Sequence, residues 1–505
     1  MSKLSSVVLG LRERGIILDR GALDFIDENN ISREEIEGLK IKSLILTREI
    51  LERELKRLIE PVKEKIEDKK HEKENIVTKT IKEEPEAIKP CLKSSRDIPH
   101  SVIVENLNCY EPAEKNVGSF VEYFNARYNA MKNILAHRQE LKNLVSIGRF
   151  TKFSNDKNIS VIGLVSNISK SKNDNTILEI EDPTGRIKAI IKENKDIGEG
   201  DILNDEVLGI TGSIFNGFLF VESIVLPDVP LSRAIRRVND AVSAAFISDT
   251  HYGSKYFSQK IESRFLNWIR SSEGAQVKYL FICGDIVDGV GIYPGQEADL
   301  LVKDIYAQYA LFEEFIMKIP EHIQIILCPG NHDAVRMGEP QPILPRELVP
   351  KLHDMKNVYL TTNPAYVNIH AIDSEGINVL MYHGYSFTSI VDAVPYLRQK
   401  GLQNPQHVMT YVLRRRHLAP TYGSTIAIPE KKDSLIITKI PDIFQTGDLH
   451  SHAIDNYKGI TLISSSTFQN QTPFMDRVGH IANPGKVTVV DLNTRNTRCL
   501  DFTKE

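Results

Sequence analysis

The sequence predicts an α/β protein in which a small β-barrel precedes a larger layered domain of sheets and helices. Three observations carry this expectation. From residue 241 onward, apolar runs of strand length alternate with helical stretches, the pattern of an α/β architecture. Five short, turn-bounded runs crowd into residues 143–232, the density of a small Greek-key barrel. The 505 residues, 41% hydrophobic and 26% charged, allow about two to four domains with ordinary buried cores.

Composition excludes several classes. Lys and Arg total 63 against 67 Asp and Glu, a net charge of -4, so any contact with nucleic acid must use local patches rather than a globally basic surface. No run of about 18 apolar residues is present, so no membrane-spanning helix is predicted. The N-terminus, Met1 to Ser6, carries no apolar stretch of the signal-peptide kind, and a cytoplasmic location is expected. The five cysteines (91, 109, 283, 328, 499) form no C-x-x-C pair, so neither a disulfide framework nor a thiolate zinc site is expected.

In chain order, residues 1–60 read as a small helical module. Ser32 and Glu35 have capping-box spacing, and Ile36, Leu39, Leu44, Leu46, Ile50, Leu51, Leu55 and Leu58 come after them at helical intervals. Residues 61–115 read as a charged linker: positions 61–90 hold eight Lys and eight acidic residues and no aromatic, too little apolar surface to offset ordering. Residues 116–142 read as a connecting helix whose apolar stripe is Phe120, Phe124, Tyr128, Met131 and Leu135. In residues 143–232 the runs 161–165, 176–180, 187–191, 207–211 and 218–221 are strands, with Asp182-Pro183-Thr184-Gly185 as a hairpin turn. This pattern resembles the OB-fold, which holds single-stranded nucleic acid in some proteins and is a structural platform in others. Trp268, in an apparent helix with Phe265 and Leu266, reads as core.

The chemistry of residues 241–505 lies just past the end of each apolar run. Ala244–Ser248 leads into Asp249 and His251, and Tyr279–Cys283 into Asp285 and Asp288. Ile323–Pro329 leads into Gly330, Asn331, His332 and Asp333, and Asn378–Tyr382 into His383. Ile443–Thr446 leads into Asp448 and His450. Open α/β sheets place their sites at these strand ends. Any one piece is weak, but five in succession point to a metal site, since desolvated carboxylates and imidazoles need partners. Carboxylate, amide and imidazole donors without thiolate suit Mn²⁺, Fe²⁺ or Zn²⁺ better than Ca²⁺.

This order resembles the calcineurin-like metallophosphoesterases, whose motifs run D-x-H, G-D-x-x-D, G-N-H-D/E, H and G-H-x-H. Within them, residues 284–297, 329–336, 339–342 and 381–387 resemble the small-subunit family of archaeal DNA polymerase D, over most of residues 119–505. The resemblance implies an OB-fold barrel and, after it, a phosphoesterase sandwich. It implies a 3′–5′ exonuclease that proofreads for a large catalytic subunit in a nucleoid-associated heterodimer. Implied partners are that subunit and DNA with a 3′ end, with a sliding clamp or primase as further candidates. Two divalent ions are implied, Mn²⁺ first, with Mg²⁺, Fe²⁺ and Zn²⁺ as alternatives. By the same resemblance Asp249, His251 and His450 would bind the first ion, Asp285 would bridge, and Asn331 and His383 would bind the second. His332 matches the family's histidine that orients or protonates near the scissile phosphate.

Two positions depart from the wider pattern. Asp448 stands where the family has imidazole, which leaves a catalytically impaired scaffold subunit as the alternative to an active nuclease. Asp288 stands where double-strand-break nucleases have His; it either orients a ligand or caps the following turn, and Asp333 is a second residue placed to orient ligands. His452 becomes a ligand only if the register shifts. Arg414, Arg415 and Arg416 form the densest basic patch, a candidate DNA- or partner-binding surface or else a solvated face. Arg233, Arg236 and Arg237 are a weaker candidate of the same kind.

Overall fold

The computed structural model describes residues 17–18, 45–46, 94–106, 116–150, 155–192 and 201–504. The expected helical module and most of the expected linker lie outside these residues. Within 1–60 only β1 (Ile17–Leu18) and β2 (Ile45–Leu46) are described, and they pair in parallel.

The end of the expected linker is not linker. β3 (Val102–Asn106) pairs antiparallel with Ala365–Ile369, 263 residues downstream, with Val104 opposite Val367. Val102 and Val104 pack on a buried core while Ile103 between them is 54% exposed. This alternation of a half-buried edge strand was hidden by the charge of the segment before it.

α1 (Val117–Leu135) begins at Asn116, whose side chain accepts from Ser119 N while Ser119 Oγ accepts from Asn116 N. Its buried face is Tyr123, Arg127, Tyr128, Met131 and Leu135. The expected stripe is thus correct at its last three positions, whereas Phe120 and Phe124 are half-buried and pack edge-on against Tyr422 at 5.8 and 5.9 Å. Arg127 takes an interior place because Asp433 is buried with it, Nε to Oδ2 at 2.7 Å.

β4 (Ile159–Lys170), β5 (Thr176–Asp182), β6 (Gly185–Ile191), β7 (Val207–Phe215) and β8 (Phe218–Val225) form a closed barrel in the order β4-β5-β6-β8-β7. Only β6 and β8 pair in parallel. Asp182 Oδ1 accepts from Thr184 N at 2.8 Å and Gly185 N at 3.0 Å, an Asx turn that closes the β5–β6 hairpin. α1 packs on this barrel through Tyr128, Met131 and Leu135 against Ile162, Leu164 and Val207.

The rest of the chain runs β9 (Ser243–Ile247), α2 (Gln259–Arg270), β10 (Val277–Cys283), α3 (Ile305–Met317), β11 (Gln324–Cys328), α4 (Pro350–Asp354), β12 (Val358–Leu360), β13 (Ala365–Ile369) and β14 (Ile377–Met381). It continues α5 (Phe387–Ala393), α6 (Pro395–Lys400), α7 (Pro405–Arg415), β15 (Ile443–Thr446), β16 (Ala453–Tyr457), β17 (Ile460–Ser464), α8 (Pro473–Val478), β18 (Lys486–Asp491) and β19 (Thr497–Asp501). Two six-stranded sheets result, β12-β11-β10-β9-β18-β19 and β16-β17-β15-β14-β13-β3. Strand alternation decides the layers. In β9 and β10, Ala245, Ile247, Leu280 and Ile282 face the helices α2 and α3, with Trp268 among their neighbours as expected. Ala244, Phe246, Tyr279 and Phe281 face the second sheet through Val367, Val379, Met381, Ile443 and Ile463. α5, α6 and α7 cover the far face of that second sheet.

The basic patch is a correction. Arg415 and Arg416 are each only 4% exposed. Arg415 Nε lies 3.2 Å from Glu206 Oε1, and its guanidinium stacks 3.6 Å from the Tyr411 ring, so it ties α7 to the barrel. Arg416 donates to Ile437 O and Thr438 O at 2.6 and 2.8 Å. Arg414 is half-buried, its carbonyl accepting from Asp228 N at 3.0 Å. A charge run is interior here because its counter-charge and acceptors are interior too. Arg233 pairs with Asp442, and Arg236 lies 2.6 Å from Glu375.

Candidate metal centre

The strand ends do converge. Asp249, His251 and His450 place one donor atom each within 4.8 Å of one another, as do His251, Asp285 and His332, and also Asp249, Asp285 and His383. The three groups share Asp249, His251 and Asp285, so they describe one centre. Asp285 Oδ2 lies 3.2 Å from His383 Nε2 and 3.9 Å from both His251 Nε2 and His332 Nε2. His450 Nε2 lies 3.3 Å from Asp249 Oδ1 and 3.0 Å from His251 Nε2. Asp448 Oδ1 stands 3.9 Å from His383 Nε2, and its backbone N donates to both Asp249 oxygens at 3.1 and 3.2 Å. Asn331 lines the same cleft, of about 520 Å³. His452 faces away, its Nε2 2.9 Å from Thr488 Oγ1.

Five of these residues stand in the left-handed backbone region: Asp249 (φ 51), His251 (48), Asp285 (48), Asp448 (64) and His450 (49). They are five of the fourteen non-glycine residues with positive φ among those described. Such conformations cost free energy and persist where the surroundings over-determine them, commonly at functional sites. Gly330 meets a steric demand at the same place: a methyl there would overlap Asp285 Oδ1 and stand 2.8 Å from His383 Nε2.

Three carboxylates, Asp249, Asp285 and Asp448, share this space with the imidazoles. Burial pushes the Asp448 carboxyl up, and Asp285 and Asp249 add to it, to about 6. Burial raises Asp285 as well, yet His383, His332 and His251 together hold it far below the usual carboxylate range. Burial lowers His383, but Asp285, Asp249 and Asp448 outweigh it and lift that imidazole well above its ordinary value. Among the described residues, Asn331 Oδ1 is buried without a hydrogen-bond partner. Buried polar atoms are rarely left so, and an acceptor of this kind among carboxylates and imidazoles fits hard or borderline divalent ions.

Behind the ligands stands a set of orienting groups, most of which sequence reasoning missed. His383 Nδ1 is 2.8 Å from Cys283 O, which turns Nε2 toward the cluster, and Asn363 Oδ1 accepts from His383 N at 2.9 Å. Gln341 links Asn363 to Gly330 O, at 2.7 and 2.9 Å. Asp333 accepts from Gly330 N at 2.8 Å and Tyr309 Oη at 3.3 Å, joining the third-motif loop to α3; burial and Asp285 push its carboxyl up to about 7. Asp288 Oδ1 lies 3.2 Å from His251 Nδ1, while Gln469 and Gln296 donate to its two oxygens at 2.9 and 3.2 Å. The only sequence signal for Gln296 and Gln341 was their place inside the long motif stretches. Asp288→Ala is expected to weaken divalent-metal binding roughly 10–100-fold, the usual cost of losing such an orienting carboxylate. Calorimetric titration with Mn²⁺ checks this, and an unchanged affinity would reduce Asp288 to a turn residue.

The layered α/β domain gathers an oxygen- and imidazole-lined centre that could hold a metal ion. The B-subunit family of DNA polymerases alpha and epsilon matches residues 244–455. The "DNA polymerase II small subunit" of Archaeoglobus fulgidus is 38% identical over 400 residues, 77% of this chain and 78% of that one. Its counterpart from Methanothermobacter thermautotrophicus is 37% identical over 424 residues, 81% and 84% of the two chains. The chain belongs to the family of archaeal DNA polymerase II small subunits. A solved archaeal phosphodiesterase overlays 51% of this chain and 99% of its own at a TM-score of 0.26 and 14% identity, too slight a likeness to build on. Among the described residues, no helix is long and apolar enough to cross a membrane.

Proposed function

We propose that this chain is the proofreading subunit of a heterodimeric archaeal replicative polymerase, removing 3′-terminal nucleotides by two-metal phosphodiester hydrolysis. In this reading the barrel is an OB-fold and the sandwich a calcineurin-like phosphoesterase domain, with the large subunit supplying polymerisation. The observation that carries it is the convergence of Asp249, His251, Asp285, Asn331, His383, Asp448 and His450 at strand ends, five of them on strained backbone.

Asp249, His251 and His450 would hold one ion, Asn331, His383 and Asp448 the other, with Asp285 between them. When bound, two such ions act as Lewis acids on the phosphoryl oxygens and lower the pKa of water. Asp288 and Cys283 O fix the imidazole tautomers. His332 is the proton donor: its Nδ1 is 2.8 Å from Asp288 O, which leaves Nε2 to face the cleft. Burial lowers this imidazole, but Asp285 and Asp288 outweigh it and raise its pKa. Its Nε2 would thereby be placed to deliver a proton as the P–O3′ bond breaks. The buried walls of the cleft strengthen each of these charge interactions.

The test is a 5′-labelled single strand incubated with the full chain and Mn²⁺. A ladder of shortened products from wild type, absent with Asn331→Ala, is the expected result. A second reading, an assembly scaffold that no longer cleaves, is favoured by Asp448 in the place of an imidazole. Absence of products with and without the large subunit would establish it. Asp448→His separates the two further: it should leave an active site active and shift metal preference from Mn²⁺ toward Zn²⁺ by roughly tenfold, imidazole being the softer donor. Competition titration of the two metals reads this shift.

A further inference from the structure

One wall of the catalytic cleft is aromatic, and the hydrolytic chemistry does not account for it. Tyr293 and Phe474 stack with ring centroids 4.6 Å apart and planes 20° from parallel. Both line the cleft with Asp285, Asn331 and His332. Phe474 remains 37% exposed, and Met337, which lines the same cleft, 39%. Tyr293 also stands next to the reacting groups, its ring edge-on to His332 at 6.5 Å.

The pair is anchored to the metal centre from both sides. On the Tyr293 loop, Gln296 donates to Asp288 O at 2.7 Å, and Tyr293 Oη donates to Asp299 Oδ2 at 3.1 Å. On the Phe474 side, Gln469 donates to Asp288 Oδ1 at 2.9 Å, and Thr472 Oγ1 caps α8 by accepting from Met475 N at 3.1 Å. Asp288, whose carboxylate faces His251, is therefore hydrogen-bonded to both segments that carry the rings. The Arg477 guanidinium lies 6.0 Å from the Phe474 ring, adding positive charge at the rim.

We infer that Tyr293 and Phe474 form a stacking platform for the unpaired base of the 3′-terminal nucleotide, so that the site selects single-stranded or frayed ends without reading sequence. The inference rests on the nuclease reading above. A phosphate alone would need no apolar wall, whereas every base offers a π-face to an aromatic ring. A paired terminal base is held in the duplex, and taking it out of the stack costs free energy that a mismatched or single-stranded end does not. Tyr293 and Phe474 are accordingly positioning residues that act through substrate contact, separate from the ligands.

The probe is an oligonucleotide with 2-aminopurine at its 3′ end, whose fluorescence falls when the base stacks, added to the full chain in EDTA so that nothing is cleaved. Wild type is expected to quench it, and Phe474→Ala and Tyr293→Ala to need about tenfold more protein for the same quenching. Phe474→Trp and Tyr293→Phe should retain it. With Mn²⁺, the alanine variants should raise KM about tenfold with kcat little changed. That difference should vanish on a strand ending in an abasic residue. Equal losses on base-bearing and abasic ends, or alanine variants that quench like wild type, would overturn the platform. Quenching without cleavage by wild type leaves the platform standing and removes the nuclease reading. Cleavage without quenching does the reverse.

Discussion

Asp285→Ala is expected to lower the proposed metal-dependent hydrolysis on the order of 10³-fold, since losing a ligand that two ions would share forfeits several kcal/mol of charge stabilisation in the transition state. The side chain is 3% exposed and sits among three imidazoles, with His383 Nε2 nearest at 3.2 Å. Its other oxygen accepts from His332 N at 2.8 Å, so it also fixes the loop that carries Asn331. Alanine removes charge and packing together; Asp285→Asn keeps the shape and an oxygen for His332 N but discards the charge. If Asp285 bridges, the asparagine variant should lose nearly as much activity as alanine while its Tm stays closer to wild type. Calorimetry should then count fewer Mn²⁺ ions bound per chain than the two expected of wild type. Asparagine with full activity and an unchanged metal count would remove Asp285 from the bridging role.

Much of this centre was legible because strand ends in an α/β domain are predictable from sequence. Once β9, β10, β11, β14 and β15 are placed by their apolar runs, the residues after them must gather at one edge. Their backbone strain was not legible: nothing about Asp249 or His450 as residue types announces a positive φ. Nor were the distant amides, since Gln469 reaches Asp288 across 181 positions and Asn363 reaches Gln341 across 22. The arginine run failed for a related reason. A cluster of positive charge is read as surface by default, and only the fold places Glu206 against Arg415, 209 residues away. β3 was missed because five residues of alternating pattern carry little signal beside a long charged segment. The helical face of α1 was correct at Tyr128, Met131 and Leu135 and missed Tyr123 and Arg127, the latter held inside by its pairing with Asp433.

That ion pair carries the largest expected effect on stability. Asp433→Ala should destabilise the protein by about 3–5 kcal/mol, the cost of stranding a buried charge. Arg127 and Asp433 are 2% and 0% exposed at their side chains, and the same Asp433 oxygen lies 2.8 Å from His417 Nε2. Without the carboxylate, Arg127 keeps Pro420 O at 2.7 Å, the Tyr123 hydroxyl at 3.3 Å and the Tyr123 and Phe124 rings at 5.4 Å, none of which is a counter-charge. Because Arg127 lies on α1 and Asp433 in the loop before β15, the loss also loosens the attachment of the connecting helix. Replacing both partners, Arg127→Met with Asp433→Leu, should cost much less than Asp433→Ala alone, since apolar side chains of similar volume need no counter-charge. The pH dependence comes from the same carboxyl. Burial pushes it up, but His417 and Arg127 outweigh burial and hold it well below its ordinary value of 3.8. A folded pKa below the unfolded one stabilises fully at neutral pH and loses that contribution as the pH falls through about 4 and below. Urea midpoints of wild type and Asp433→Ala should therefore differ most at neutral pH and approach each other in acid. A difference that stays constant down to pH values near 3 would show that lost packing, not lost charge, is what the substitution costs.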